Sequence, residues 1–176
     1  MTQKLRVYIL FLSLASLLFA CSDVDPEFNN DFKKSEKAWK AFKKSSGNTY
    51  SYEVSFDSWA GFGSRTKISV ENGIIIQRQY HSYGYKDDVS PEKEVKSEWV
   101  EGKSEIGSHT NEGAPAVTLD EIYDRAENEW LIKRKGADTF FSADNGGMIS
   151  SAGYVNDGCQ DDCFTGIRIT AITAGK

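Results

Sequence analysis

Tyr50-Ser51-Tyr52-Glu53-Val54-Ser55-Phe56-Asp57 alternates apolar and polar residues without a break. This is the period-two pattern of a strand with one buried face. Further on, residues 66–71 and 74–80 flank Asn72-Gly73, the pair that best tolerates the positive φ angles of a type I′ turn, so the two runs form a hairpin. Residues 59–64 are its glycine-containing link to the first strand. A polar loop over residues 81–91 follows, and residues 95–101 add a more exposed strand around Trp99. Residues 102–116 have no periodicity and read as a long surface loop.

Helices flank this block of strands. Upstream, Ser35 is in position to cap a helix whose apolar stripe is Ala38, Trp39 and Phe42, with lysines on the wet faces and Gly47 at its end. Downstream, Thr118 and Glu121 form a capping box, and Leu119, Ile122, Tyr123, Ala126 and Trp130 recur at helical spacing before Gly136. Residues 139–143 and 148–155 then surround Asp144-Asn145-Gly146-Gly147 as a second hairpin, and residues 166–172 make a last strand. Strand runs with helices segregated between them predict an α+β domain, an antiparallel sheet of about six or seven strands with two helices packed on one face.

The N-terminal region follows different rules. Lys4 and Arg6 precede an apolar run from Val7 to Ala20 that is broken only by Ser13 and Ser16. That order is an export signal, and the run is shorter than the roughly 20 apolar residues a membrane span needs. The end of the run, Leu18-Phe19-Ala20-Cys21, resembles the lipobox of bacterial lipoproteins, with Phe19 bulkier than the usual residue. The resemblance implies that residues 1–20 are a signal peptide and that Cys21 is acylated. The mature chain would then be held to a membrane through lipid, without a transmembrane helix.

Residues 21–34 read as a flexible tether. The acidic, proline-containing run from Ser22 to Glu27 has little apolar content, and it resembles the export signal of surface lipoproteins of the Bacteroidota. The expected location is therefore the bacterial cell envelope, anchored at the outer membrane, with outward display if the acidic run is that signal and none implied if it is a plain solvated linker. Residues 35–176 remain as one folded domain.

Removing residues 1–20 leaves 156 of the 176 residues, enough for one core. It takes away two basic residues and no carboxylate, moving the formal charge from −5 to −7. An acidic surface argues against nucleic acid as a partner. With Cys21 assigned to lipid, Cys159 and Cys163 are left as an even pair in an exported chain and are expected to bond. So small a ring shapes one loop and adds little to the fold as a whole.

Trp39, Gly47, Tyr50-x-Tyr52, Val70-x-Asn72-Gly73, Thr118-Leu119-x-Glu121 and Asp144-x-Gly146 run in the same order as in an uncharacterised family of bacterial lipoproteins and exported proteins. The chain resembles that family over residues 35–174. Many of its members carry cysteines near the first strand, where this chain has none. The resemblance implies a compact exported domain and brings no activity with it.

Two constellations are candidate sites. Asp157, Asp161 and Asp162 lie in one loop with Cys159 and Cys163, and hard oxygen donors on a stiffened loop suit Ca²⁺. The spacing is not that of an EF-hand, and an acidic turn capping its own amides accounts for the same residues. The second is aromatic. Trp59, Phe62, Tyr80, Tyr83 and Tyr85 lie in or beside two loops that a hairpin can bring to one end of the sheet, where they would grip a glycan or another envelope protein. Alternatively they plug the core and edge the sheet. His81 and His109 are the only histidines, and no Gly-x-Ser-x-Gly elbow, Walker loop or Rossmann glycine fingerprint occurs. The sequence therefore points to a non-catalytic protein- or ligand-binding module. The alternative is an exported enzyme or enzyme inhibitor whose site is assembled from distant residues.

Overall fold

The computed structural model describes residues 24–87 and 91–175. The expected signal peptide 1–20 and the expected lipidation site Cys21 lie outside the described residues. The order of elements is α1 (Asn29–Ser45), β1 (Tyr50–Asp57), β2 (Gly63–Glu71), β3 (Ile74–Tyr85), β4 (Lys93–Gly102), α2 (Leu119–Arg125), a π-helical turn (Ala126–Trp130), β5 (Ala137–Ser142), β6 (Ser151–Asn156) and β7 (Thr165–Ala174). The strands make one antiparallel seven-stranded sheet in the order β4-β3-β2-β1-β7-β6-β5. This is the expected α+β architecture. Its central pairing joins the first strand to the last.

Local signals explain most of the elements. Asn72 and Gly73 have φ of 50° and 81°, both positive as a type I′ turn requires. Thr118 Oγ1 accepts from the Glu121 amide at 3.3 Å while Glu121 Oε2 accepts from the Thr118 amide at 2.7 Å, the reciprocal capping box that starts α2. The helix gives way to the π turn at Ala126 and ends at Trp130, six residues short of Gly136. Strand β3 runs on to Tyr85, through what the sequence suggested was loop. Met148 and Ile149 are buried but belong to the turn before β6.

The N-terminal boundary needs correction. The expected tether over residues 21–34 is folded from Val24 onward: Val24 bridges Ile132, Asp25 donates its amide to the Leu131 carbonyl at 2.7 Å, and both are buried. Helix α1 starts at Asn29, so Ser35 is an interior residue and caps nothing. The stripe that packs is Phe28, Phe32, Ser35, Trp39 and Phe42, spaced by four and three residues. Ser35 belongs to it because its hydroxyl bonds the Tyr123 hydroxyl at 2.8 Å.

Both helices cover the face of the sheet that carries Tyr50, Tyr52, Ile68, Val70, Ile167 and Ile169. Trp39 is the hub. Its ring lies edge-on to Tyr50 at 5.2 Å and stacks on Tyr123 at 6.1 Å, and its indole N–H donates to Asp120 Oδ1 at 3.0 Å. Burial of a side chain of this size is worth several kcal/mol, about 3–5 by the usual loss on truncation.

The long loop after β4 covers the rest of this face and is tied down by charge. Glu101, fully buried on β4, accepts from the Gly107 amide at 2.8 Å, the His109 amide at 2.7 Å, Ser108 Oγ at 3.0 Å and Arg78 Nη2 at 2.8 Å. Burial by itself would raise this carboxyl. The two amides, Arg78 and the His109 side chain outweigh it and bring the pKa down to about 2. The Arg78 guanidinium lies 4.6 Å over the Trp99 ring, which is stacked between Tyr80 and His109.

Candidate functional site

The sheet splits at its centre. Strand β7 pairs with β1 from Tyr50↔Ala174 to Val54↔Ile169, with Thr170 bulged between Glu53 and Val54. Before that point, residues 165–168 pair with β6 instead, from Tyr154↔Thr165 to Ser151↔Arg168. Beyond Val54, β1 continues as Ser55–Asp57 with β2 alone beside it. The two central strands therefore diverge, and a cleft of about 600 Å³ opens between them.

Side chains from both faces of the sheet line the cleft. Val54, Phe56, Ile167 and Trp130 contribute from the helix side. Phe164 and Arg168 also line it. Arg168 alternates with buried Ile167 and Ile169 and so belongs to the opposite face. One wall is the segment from Gly113 to Val117, which β1 itself positions: Tyr52 Oη donates to the Val117 carbonyl at 2.5 Å, and Tyr50 Oη accepts from the Leu119 amide at 2.9 Å. Burial pushes the Tyr50 hydroxyl up to about 12, so it stays protonated.

Charge at the cleft is uneven. Arg125 lies 4.7 Å over the Trp130 ring and donates from Nε to Glu129 Oε2 at 3.0 Å. Arg168 stacks 4.2 Å over Phe164, and no carboxylate pairs with it among the described residues. The exposed indole of Trp59 donates to Asp161 Oδ1 at 2.9 Å, linking the β1–β2 loop to the β6–β7 loop across 102 positions of sequence. Cys159 and Cys163 lie within disulfide distance in that second loop, with Cα atoms 6.2 Å apart.

The aromatic residues singled out by sequence do not form one patch. Trp59 is exposed and bonds Asp161 of the β6–β7 loop. Phe62 packs beside Phe56, ring centres 6.0 Å apart. Tyr80 faces the helix side, stacked on Trp99 under the long loop. Tyr83 and Tyr85 face the open side, near Lys93. Tyr83 donates its hydroxyl to Asp57, a bond that holds the Asp57 carboxyl below its usual range and raises the tyrosine hydroxyl. Gly61 and Gly63 are required here, because a Cβ at either would enter the Tyr85 or the Tyr83 ring.

Of the three aspartates considered for calcium, Asp161 accepts from Trp59, Asp162 lines the cleft at φ 45°, and Asp157 lies near Gly136. No group of three or more His, Cys, Asp or Glu placed to hold a metal occurs among the described residues. Nor is any helix among them long and apolar enough to cross a membrane.

Sequence reasoning missed Phe56, Trp130, Phe164 and Arg168 as site residues. Phe56 and Trp130 carry ordinary core periodicity, and nothing in their spacing tells that the strand beside them departs. No family model, curated protein or solved structure matches the chain.

Proposed function

We propose that this chain is a lipid-anchored cell-envelope protein whose exported domain is a non-catalytic binding module, with the cleft between β1 and β7 as its binding site. The observation that carries the reading is the cleft: about 600 Å³, with apolar Val54, Phe56, Trp130 and Ile167 beside the charged Arg125, Glu129, Asp162 and Arg168, the last without a carboxylate partner among the described residues. That size and that mixture of apolar and polar groups suit a ligand site. A fixed wall favours binding as well, since the tyrosine bonds of β1 hold the Gly113–Val117 side before any ligand arrives.

The lipobox-like Leu18-Phe19-Ala20-Cys21 supports anchorage, and the acidic run after it supports outward display. Photo-crosslinking in producing cells tests the binding site. A photoreactive residue at Phe56 is expected to capture a ligand, whereas one at exposed Val100 on the opposite face captures none. Equal yields, or none from Phe56, would remove the cleft from the argument. Incorporation of labelled palmitate that persists after Cys21→Ala would overturn the anchor.

A further inference from the structure

Beyond Val54 no strand among the described residues pairs with the β7 side of β1, and the direction of the backbone groups there follows from the ladder. On β1, the Glu53 carbonyl accepts from Thr170 Oγ1 on β7 at 3.3 Å, while the Phe56 carbonyl accepts from Arg65 on β2 at 3.4 Å. Backbone direction alternates along an antiparallel strand. Ser55 and Asp57 therefore point their N–H and C=O groups toward the β7 side, where β7 has already departed. On β7, the Ile169 amide donates to the Ser150 carbonyl at 2.8 Å and the Ile169 carbonyl accepts from Asn145 at 3.0 Å, both on the β6 side. By the same alternation Gly166 and Arg168 turn their backbone groups toward β1. Two strand edges thus face one gap, each offering donors and acceptors at strand spacing.

We infer that the cleft takes an extended polypeptide segment of a partner protein, which adds a strand to these edges at the point where the sheet is split. This rests on the cleft being the binding site and names its ligand class. Repeated N–H and C=O groups at strand spacing are matched by another extended backbone, the basis of recognition by strand addition. The side-chain requirements follow from the pleat. Alternate residues of the segment meet Phe56 and Trp130 on the helix side and are apolar. Those between them meet Arg168 on the open side, where an acidic residue supplies the carboxylate that Arg168 lacks among the described residues.

A random twelve-residue peptide library displayed on phage, panned against the full chain in detergent, tests this. Enriched peptides are expected to alternate apolar residues with at least one acidic residue. N-methylation of individual backbone amides in a resynthesised peptide is expected to weaken binding about tenfold at successive central positions, because alternate amides face β1 and those between them face β7, and to leave the peptide's end positions unchanged, the size of one or two lost hydrogen bonds. Ser55→Pro removes one edge donor that β2 does not use and is expected to weaken binding similarly, while Ser55→Ala does not. Failure to enrich any peptide, affinity indifferent to N-methylation, or equal binding to folded Ser55→Pro overturns the inference. The methylation series needs no variant protein. If crosslinking from Phe56 succeeds while peptides fail, the cleft remains a binding site and only strand addition falls; if both fail, both readings fall.

Discussion

Replacing Glu101 with Gln is the sharpest perturbation of this fold. The substitution keeps the shape of a fully buried side chain and removes its charge. Both of its oxygens face groups that can only donate, the Gly107 amide at Oε2 and the His109 amide and Arg78 Nη2 at Oε1, with Ser108 Oγ and His109 Nδ1 also within hydrogen-bond distance of Oε1. A glutamine therefore turns its own NH₂ toward another donor and leaves the Arg78 guanidinium buried without its counter-ion. Breaking a buried pair in this way costs about 3–5 kcal/mol. The pKa gives an independent figure. A carboxyl lowered from 4.5 to about 2 contributes roughly 3 kcal/mol at neutral pH.

The pH dependence has a definite sign. The folded-state pKa is depressed, so this stabilisation is complete above pH 4.5 and is lost as the pH falls toward 2, where the unfolded chain binds the proton first. Urea denaturation of wild type and Glu101→Gln from pH 7 to pH 2.5 measures the difference directly. The gap is expected to be about 3 kcal/mol or more at pH 7 and to close below pH 4.5. A gap under about 1 kcal/mol at pH 7, or one that does not change with pH, would refute the account of the buried carboxylate.

Val24→Asp tests the corrected N-terminal boundary. It places a charge where a buried valine bridges Ile132, and is expected to destabilise the domain by about 2 kcal/mol or more in thermal or urea unfolding, whereas a tether residue would be neutral. Cys159→Ser with Cys163→Ser is expected to lower stability by about 2 kcal/mol at most, the chain-entropy value for so short a loop. A larger loss on denaturation would mean that this loop supports the core as well as the cleft.

Much of the fold was legible because it is written in neighbouring residues. Tyr50 to Phe56 alternate, Asn72-Gly73 accept positive φ, and Thr118 with Glu121 satisfy each other's amides, all within a few positions of sequence. Ser35 shows where such reading stops. A serine ahead of an apolar stripe suits an N-cap, and only the Tyr123 hydroxyl, 88 positions away, makes it an inward-facing member of that stripe.

By itself, then, the sequence determined the strand and turn order, the capped second helix and the α+β class, because those depend on local conformational preference and on the period of apolar residues. Tertiary structure alone decided that β7 would lie beside β1, that the pair would part at Val54, and that Glu101 would hold the long loop. Each of these is a pairing between distant segments whose partners show no shared local pattern. The cleft exists because residues 165–168 bond to β6 rather than β1, a competition for backbone partners that arises only once the chain has folded back on itself.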